Sequence, residues 1–243
     1  MFYVKANWPA PDHIAALTTT KLGGVSTLEY ESNNLAMHVG DSSAAVQRNR
    51  DNLVHSLALV REPVWLIQTH SNRCIVVEEE DERNADAAIT RNSVFPLAIM
   101  TADCLPVLLC DRKGTEIAAI HAGWRGLASG IIENTIEKMN NKTDSLLAWI
   151  GPAICQSCFE VGEDVRRNFK NRYTYADQIF RERGDKKLAD LPRMAELILN
   201  QLGVYAVYHA GLCTYELHET FYSYRRQGLT GRMATLIWFK QGN

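Results

Sequence analysis

The sequence lacks any predominantly apolar run of the roughly 18 residues that a membrane-spanning helix needs. The uncharged stretch 146–159 is interrupted by Gly151 and Pro152. It also lacks a charge bias: 26 Lys and Arg face 28 Asp and Glu, a net charge of −2. No global field therefore draws the chain onto nucleic acid or an anionic bilayer. Internal repeats, low-complexity tracts and Pro/Gly/Ser linkers are absent, which predicts a single domain over residues 1–243. There is no G-x-S-x-G elbow, no Walker P-loop and no G-x-G-x-x-G. No histidine opens an H-x-E, so a cytidine-deaminase zinc motif is excluded.

Apolar residues make up 46% and charged residues 22% of the 243, which is globular in character. A chain of this size buries about 73% of its surface on folding, enough for a core without staples. The first nine residues, Met1 to Pro9, contain no apolar h-region, so the sequence reads as cytoplasmic. In that reducing setting the six cysteines, Cys74, Cys104, Cys110, Cys155, Cys158 and Cys213, read as thiols or metal ligands rather than disulfides. Cys155 and Cys158 form one C-x-x-C. A four-ligand zinc knuckle needs a second pair, and none follows in sequence, so the pair reads as structural thiols.

Apolar strand-like runs recur at Val64–Ile67, Cys74–Val77, Val94–Met100, Leu105–Leu109, Ile117–Ile120, Leu146–Ile150, Val204–Tyr208 and Met233–Phe239. Their near-continuous hydrophobicity predicts a sheet covered on both faces. Helices are expected after a Ser43 cap, along Leu127, Ile131, Thr135 and Met139, and from Pro192 to a stop at Gly203. The fold class is α/β (α+β), a single layered sandwich of mixed sheets flanked by helices.

Most of the seven histidines read as ordinary polar residues. His70 and His121 differ, because each ends an apolar strand, and Cys104 sits at the break between two more. Strand ends are where open sheets collect ligands. Two imidazoles and a thiolate are a zinc donor set, and copper accepts the same three. Zinc bound there would supply hydroxide at neutral pH. Cys104 with His121 is equally a candidate thiolate–imidazolium nucleophile. In the segment His121-Ala122-Gly123-Trp124-Arg125-Gly126, the turn into a helix places Arg125 at an anion-attracting N-terminus. Tyr222-Ser223-Tyr224-Arg225-Arg226, followed by Arg232, is a basic aromatic stretch suited to phosphate and to stacking.

The motifs form a pattern. Asn34-Leu35, His38, Gly40-Asp41 and Asn49-Arg50 come first. Gln68-Thr69-His70, Thr101-Ala102-Asp103-Cys104-Leu105-Pro106-Val107 and the His121 to Gly126 block follow. Gly151-Pro152-Ala153-Ile154, Phe159-Glu160-Val161-Gly162, Cys213-Thr214 and Ser223-Tyr224-Arg225-Arg226 complete the order. Across nearly the whole chain this resembles the YfiH-type laccase-domain family, also called multicopper polyphenol oxidases. Cys155, where the family more often has Gly, and His209 to Leu212 depart from the pattern.

The resemblance implies a layered α/β domain grouped with a toxin deamidase among cysteine hydrolases. It implies a metal, zinc first and copper second, on His70, Cys104 and His121. It also implies purine nucleoside phosphorolysis of adenosine, inosine and methylthioadenosine, with adenosine deamination. Alternative family functions are editing of a peptidoglycan precursor by hydrolysis and laccase-like phenol oxidation by copper. On this reading Asp103 and Arg125 are the catalytic candidates. Asn34, His38, Arg50, Arg225 and Arg226 are candidates to hold substrate or phosphate. The expected partners are small molecules, a purine nucleoside and phosphate, with neither nucleic acid nor membrane; oligomeric state does not follow from the sequence.

Overall fold

A computed structural model describes residues 2–241. Two large mixed sheets pack face to face and helices cover their outer sides. The first sheet runs in the order Tyr3–Lys5, Ile14–Thr19, Met233–Phe239, Leu97–Thr101, Val64–Trp65. The second runs in the order Ala206–His209, Leu146–Ile150, Leu105–Asp111, Ile117–Ala122, Ala87–Thr90, Cys74–Val76. The mixed sheets and flanking helices match the expected class.

The strand period of two assigns each side chain to a layer. In Leu105–Asp111, Leu105, Val107 and Leu109 point to the helices Ile131–Lys138 and Leu191–Gln201. Leu108 and Cys110 point the other way, into the layer between the sheets, where they meet Ile99, Ile237 and Trp149. Covering on both faces is why this strand reads as one apolar run. Beyond the first sheet, Leu53 of the helix Ser43–Ser56 packs with Leu17, Ala98 and Leu236. No helix among the described residues is long and apolar enough to cross a membrane.

Some boundaries differ from the sequence reading. Ser42 caps the first helix, its Oγ accepting the Ala45 N–H at 3.4 Å, where Ser43 was expected. The continuous helix expected through Leu127 and Met139 is broken at Gly130, whose φ of 92° only glycine adopts easily. The pieces are Trp124–Ser129 and Ile131–Lys138. The third helix agrees with expectation: Pro192 lies in its first turn, Asp190 caps it, and Gly203 follows at φ 91°. A small sheet, Glu160–Val161, Lys186–Ala189 and Phe180–Arg183, has strands too charged to signal themselves by hydropathy.

Candidate active site

Three chain segments converge at one end of the two sheets. The link from Thr101 to Leu105 carries the chain from the first sheet to the second, and Cys104 lies on it. His121 is near the end of Ile117–Ala122, buried. His70 lies in the connection before Cys74–Val76, in the left-handed region at φ 62°. Gln68 pins that connection: its amide donates to Met100 O and accepts from Met100 N, both at 2.8 Å.

Asp86, fully buried, organises two of the three donors. Its Oδ1 accepts the His70 N–H at 3.0 Å and faces His121 Nδ1 at 2.7 Å. Its Oδ2 accepts Thr69 N–H at 3.1 Å, and the N–H and hydroxyl of Ser71 at 2.7 Å each. Burial alone would raise the Asp86 pKa, but hydrogen bonds from His121 and Ser71 and the His121 charge lower it to about 2. The carboxylate therefore stays ionised, fixes the proton on His121 Nδ1 and leaves Nε2 free to face the cluster.

His70, Cys104 and His121 each offer a ligand atom, all within 4.8 Å of one another. Cys104 Sγ and His70 Nε2 are 3.6 Å apart. In a tetrahedral zinc site, bonds of about 2.3 Å to sulfur and 2.0–2.1 Å to nitrogen place those two atoms about 3.6 Å apart. Gly123 keeps the centre open. A Cβ there would lie 3.0 Å from His70 Cδ2 and 3.2 Å from Cys104 Sγ. The donor set, its spacing and its buried carboxylate all fit a metal such as zinc or copper.

The same atoms favour a thiolate beside an imidazolium. Burial would raise the Cys104 pKa, but the His121 charge and hydrogen bonds to His121 and His70 lower it to about 6. Burial would lower that of His121, yet the Cys104 charge and the Asp86 hydrogen bond raise it to about 9. A thiolate is the form that binds metal or attacks carbon.

The cluster opens into a cavity of about 510 Å³, within the usual range for small-molecule sites. Three guanidinium groups line it, each over an aromatic ring that also lines it. Arg125 lies 4.4 Å from the Trp124 centroid, Arg225 5.1 Å from Phe159 and Arg232 5.7 Å from Tyr224. His38 shares the wall, its pKa lowered by burial and by the charges of Arg232 and Arg50. Asp103 is the lining carboxylate among the described residues, and it is fully engaged. At φ 87° it accepts Thr214 Oγ1 at 2.7 Å, Ser223 Oγ at 2.9 Å and Arg225 N at 2.7 Å.

The remaining candidates lie outside the cavity lining. Asn34 is buried and ties Ala36, Asp41 and Arg232 N. Arg50 donates to Leu35 O at 3.0 Å, stacks 4.1 Å over Trp65 and pairs with Glu62. Arg226 donates to the carbonyls of Thr214, Tyr215 and Phe221. The helix that begins at Trp124 has only six residues, so its dipole adds little to Arg125. Asp86 carries no signal in the local sequence, and Arg232 reads there only as part of the basic aromatic stretch.

A layered α/β domain with a Cys/His cluster at its strand ends defines an enzyme of the laccase-domain class. A profile of the family described as multi-copper polyphenol oxidoreductase laccase matches residues 15–240, and the chain belongs to that family, the YfiH-type laccase-domain proteins. It is 44% identical over 233 residues to purine nucleoside phosphorylase YfiH of Escherichia coli, covering 95% of this chain and 96% of that one. It is 42% identical to a purine nucleoside phosphorylase of Haemophilus influenzae, covering 98% and 99%. Protein NMB0706 of Neisseria meningitidis superposes with a TM-score of 0.94 at 45% identity, covering 98% and 99%.

Proposed function

We propose that the protein is a zinc-dependent purine nucleoside phosphorylase, converting a purine nucleoside and phosphate to free base and ribose 1-phosphate. One observation carries this reading: a three-donor cluster shares a cavity with three guanidinium groups, each backed by an aromatic ring. The names of the E. coli and H. influenzae relatives support it.

His70, Cys104 and His121 would hold the zinc, which when bound supplies Lewis acidity at neutral pH. Arg125, Arg225 and Arg232 hold the phosphate, since planar guanidinium forks match its oxygens. Stacking over Trp124, Phe159 and Tyr224 pre-orders those side chains and lowers the entropy lost on binding. The exposed Tyr224 ring offers a purine its free face. His38, whose pKa is lowered by burial and then by the charges of Arg232 and Arg50, can as a neutral ring donate one hydrogen bond to the departing base and accept another. Asp103 acts by positioning: its carboxylate fixes the Arg225 backbone and the Thr214 segment beside Cys104. The same pocket suits adenosine, and deamination of adenosine by water to inosine and ammonia belongs to this proposal.

The test is release of hypoxanthine from inosine by zinc-loaded protein, with and without phosphate, followed by chromatography. Phosphate-dependent release that disappears in His121→Ala supports the reading. Full turnover in His121→Ala sinks it.

A second reading, an amide-cleaving cysteine hydrolase that edits a peptidoglycan precursor, rests on the line Cys104, His121, Asp86. It joins a thiolate, an imidazolium and an orienting carboxylate. Zinc and thiol chemistry compete for one sulfur. Serine release from the precursor that zinc suppresses and chelation restores would favour this reading over phosphorolysis.

A further inference from the structure

Away from the cavity a second donor cluster forms from residues distant in sequence. Cys155 precedes the single turn Gln156–Cys158 and Cys158 ends it. Residues 153 and 213 pair as an isolated parallel bridge, which brings Cys213 alongside, and Glu216 follows three residues later. One ligand atom from each of Cys155, Cys158, Cys213 and Glu216 lies within 4.8 Å of every other. We propose that these four residues form a structural zinc site that clamps two segments of the active-site wall.

The donors are complete. Structural zinc sites close with four protein ligands, and three thiolates with one carboxylate make four. The spacing fits as well. With bonds of about 2.3 Å to sulfur and about 2.1 Å to oxygen, a tetrahedral centre places sulfur and oxygen about 3.6 Å apart. Glu216 Oε1 is 3.6 Å from Cys155 Sγ and 3.6 Å from Cys158 Sγ. The Cys155 N–H points at Cys213 Sγ at 3.3 Å, a backbone dipole that supports negative charge on that sulfur. Sulfur-rich donors select zinc over magnesium or calcium, which require oxygen. A disulfide would use two of the sulfurs and leave the third beside Glu216 without a role.

The clamp has a consequence for the cavity. Ile154 and Phe159, flanking the Cys155–Cys158 turn, line the catalytic cavity, and Ile154 N donates to Asp103 O at 3.0 Å. Thr214, next to Cys213, donates to the Asp103 carboxylate at 2.7 Å. Zinc at the second cluster holds both segments against Asp103 and hence beside Cys104. Loading replaces three thiol protons with one Zn²⁺ and releases those protons to solvent. Arg181 lines the same surface depression as Cys155, Cys213 and Glu216.

The experiment uses the full chain with Cys104→Ser, which removes the only thiolate of the first cluster. Purified under reductant, it is titrated with Zn²⁺ alone and with Co²⁺ alone. We expect one metal per chain by elemental analysis, with sulfur-to-cobalt charge-transfer absorbance, and neither when Cys158→Ser is added. Glu216→Gln, at an exposed residue, is expected to keep the fold by circular dichroism and to weaken zinc binding about tenfold. A folded, reduced Cys104→Ser chain that takes up no metal overturns the proposal. So does cobalt absorbance that survives Cys158→Ser unchanged. A wild-type chain that binds one zinc, with Cys104→Ser also binding one, leaves this site standing and removes the first.

Discussion

The 2.7 Å contact between His121 Nδ1 and Asp86 Oδ1 decides how the first cluster presents itself. The same oxygen accepts the His70 N–H at 3.0 Å. One buried oxygen therefore sets the tautomer of one imidazole and the backbone position of another. Asp86→Asn keeps the size but places an amide N–H₂ against backbone donors that now have no acceptor. We expect zinc affinity to fall about 10- to 100-fold, the usual cost of losing an outer-shell partner. Stability should fall by about 1–3 kcal/mol, the cost of an unsatisfied buried donor. Competitive zinc titration and a denaturation curve check the two effects separately.

His70, Cys104 and His121 were legible because each interrupts an apolar run, and runs end where sheets end. Asp86 was not. It sits ahead of Ala87–Thr90, a strand too short and alanine-rich to stand out, and its partners lie 15 to 35 residues away. Arg50 and Arg226 read as free cations because a sequence does not show that an arginine has turned inward onto carbonyls. The grouping of Cys155 and Cys158 with Cys213 and Glu216 is hidden for the same reason. Its third and fourth donors come from another segment, so no spacing rule for a second C-x-x-C could find them. Layering was readable wherever strands are covered on both faces, and unreadable in the charged strands around Lys186–Ala189.

Gly123 offers a test of cluster geometry that leaves the backbone alone. Its φ of −59° suits any residue, so alanine brings no conformational strain there. The new methyl would lie 3.0 Å from His70 Cδ2 and 3.2 Å from Cys104 Sγ. We expect Gly123→Ala to fold with little change in Tm and to lose about tenfold or more in zinc affinity. Unchanged affinity would mean that the three donors do not meet a metal at this point.

His38 gives a pH prediction. Burial, then the charges of Arg232 and Arg50, lower its pKa below the ordinary 6.5. Between the folded and unfolded pKa values the unfolded chain binds more protons, so stability is lost as pH falls from 6.5 through the folded value. NMR titration should find the His38 ring protonating below 6.5. Arg232→Met should move that midpoint upward. An unmoved midpoint would exclude Arg232 as a cause.

The arginines divide into two groups, and kinetics can separate them. Arg125, Arg225 and Arg232 line the cavity, although Arg225 also donates to Glu160 O and Arg232 to Thr230 O and Gly231 O; Arg50 and Arg226 lie off the lining and donate to protein carbonyls. Replacing Arg125 by Met should raise KM for phosphate about tenfold, equivalent to about 1.4 kcal/mol. Its Tm should stay within a degree or so, because the side chain is exposed. Replacing Arg226 by Met should act the other way. Three carbonyls lose a charged donor, costing about 1.5–3 kcal/mol. At about 2–4 °C per kcal/mol for a chain this long, Tm falls by about 3–12 °C. Its KM for phosphate should change less than that of Arg125→Met at a temperature where both proteins are folded. A large KM effect at Arg226 with no loss of Tm would place phosphate on the far side of the Thr214 segment, outside the cavity described above.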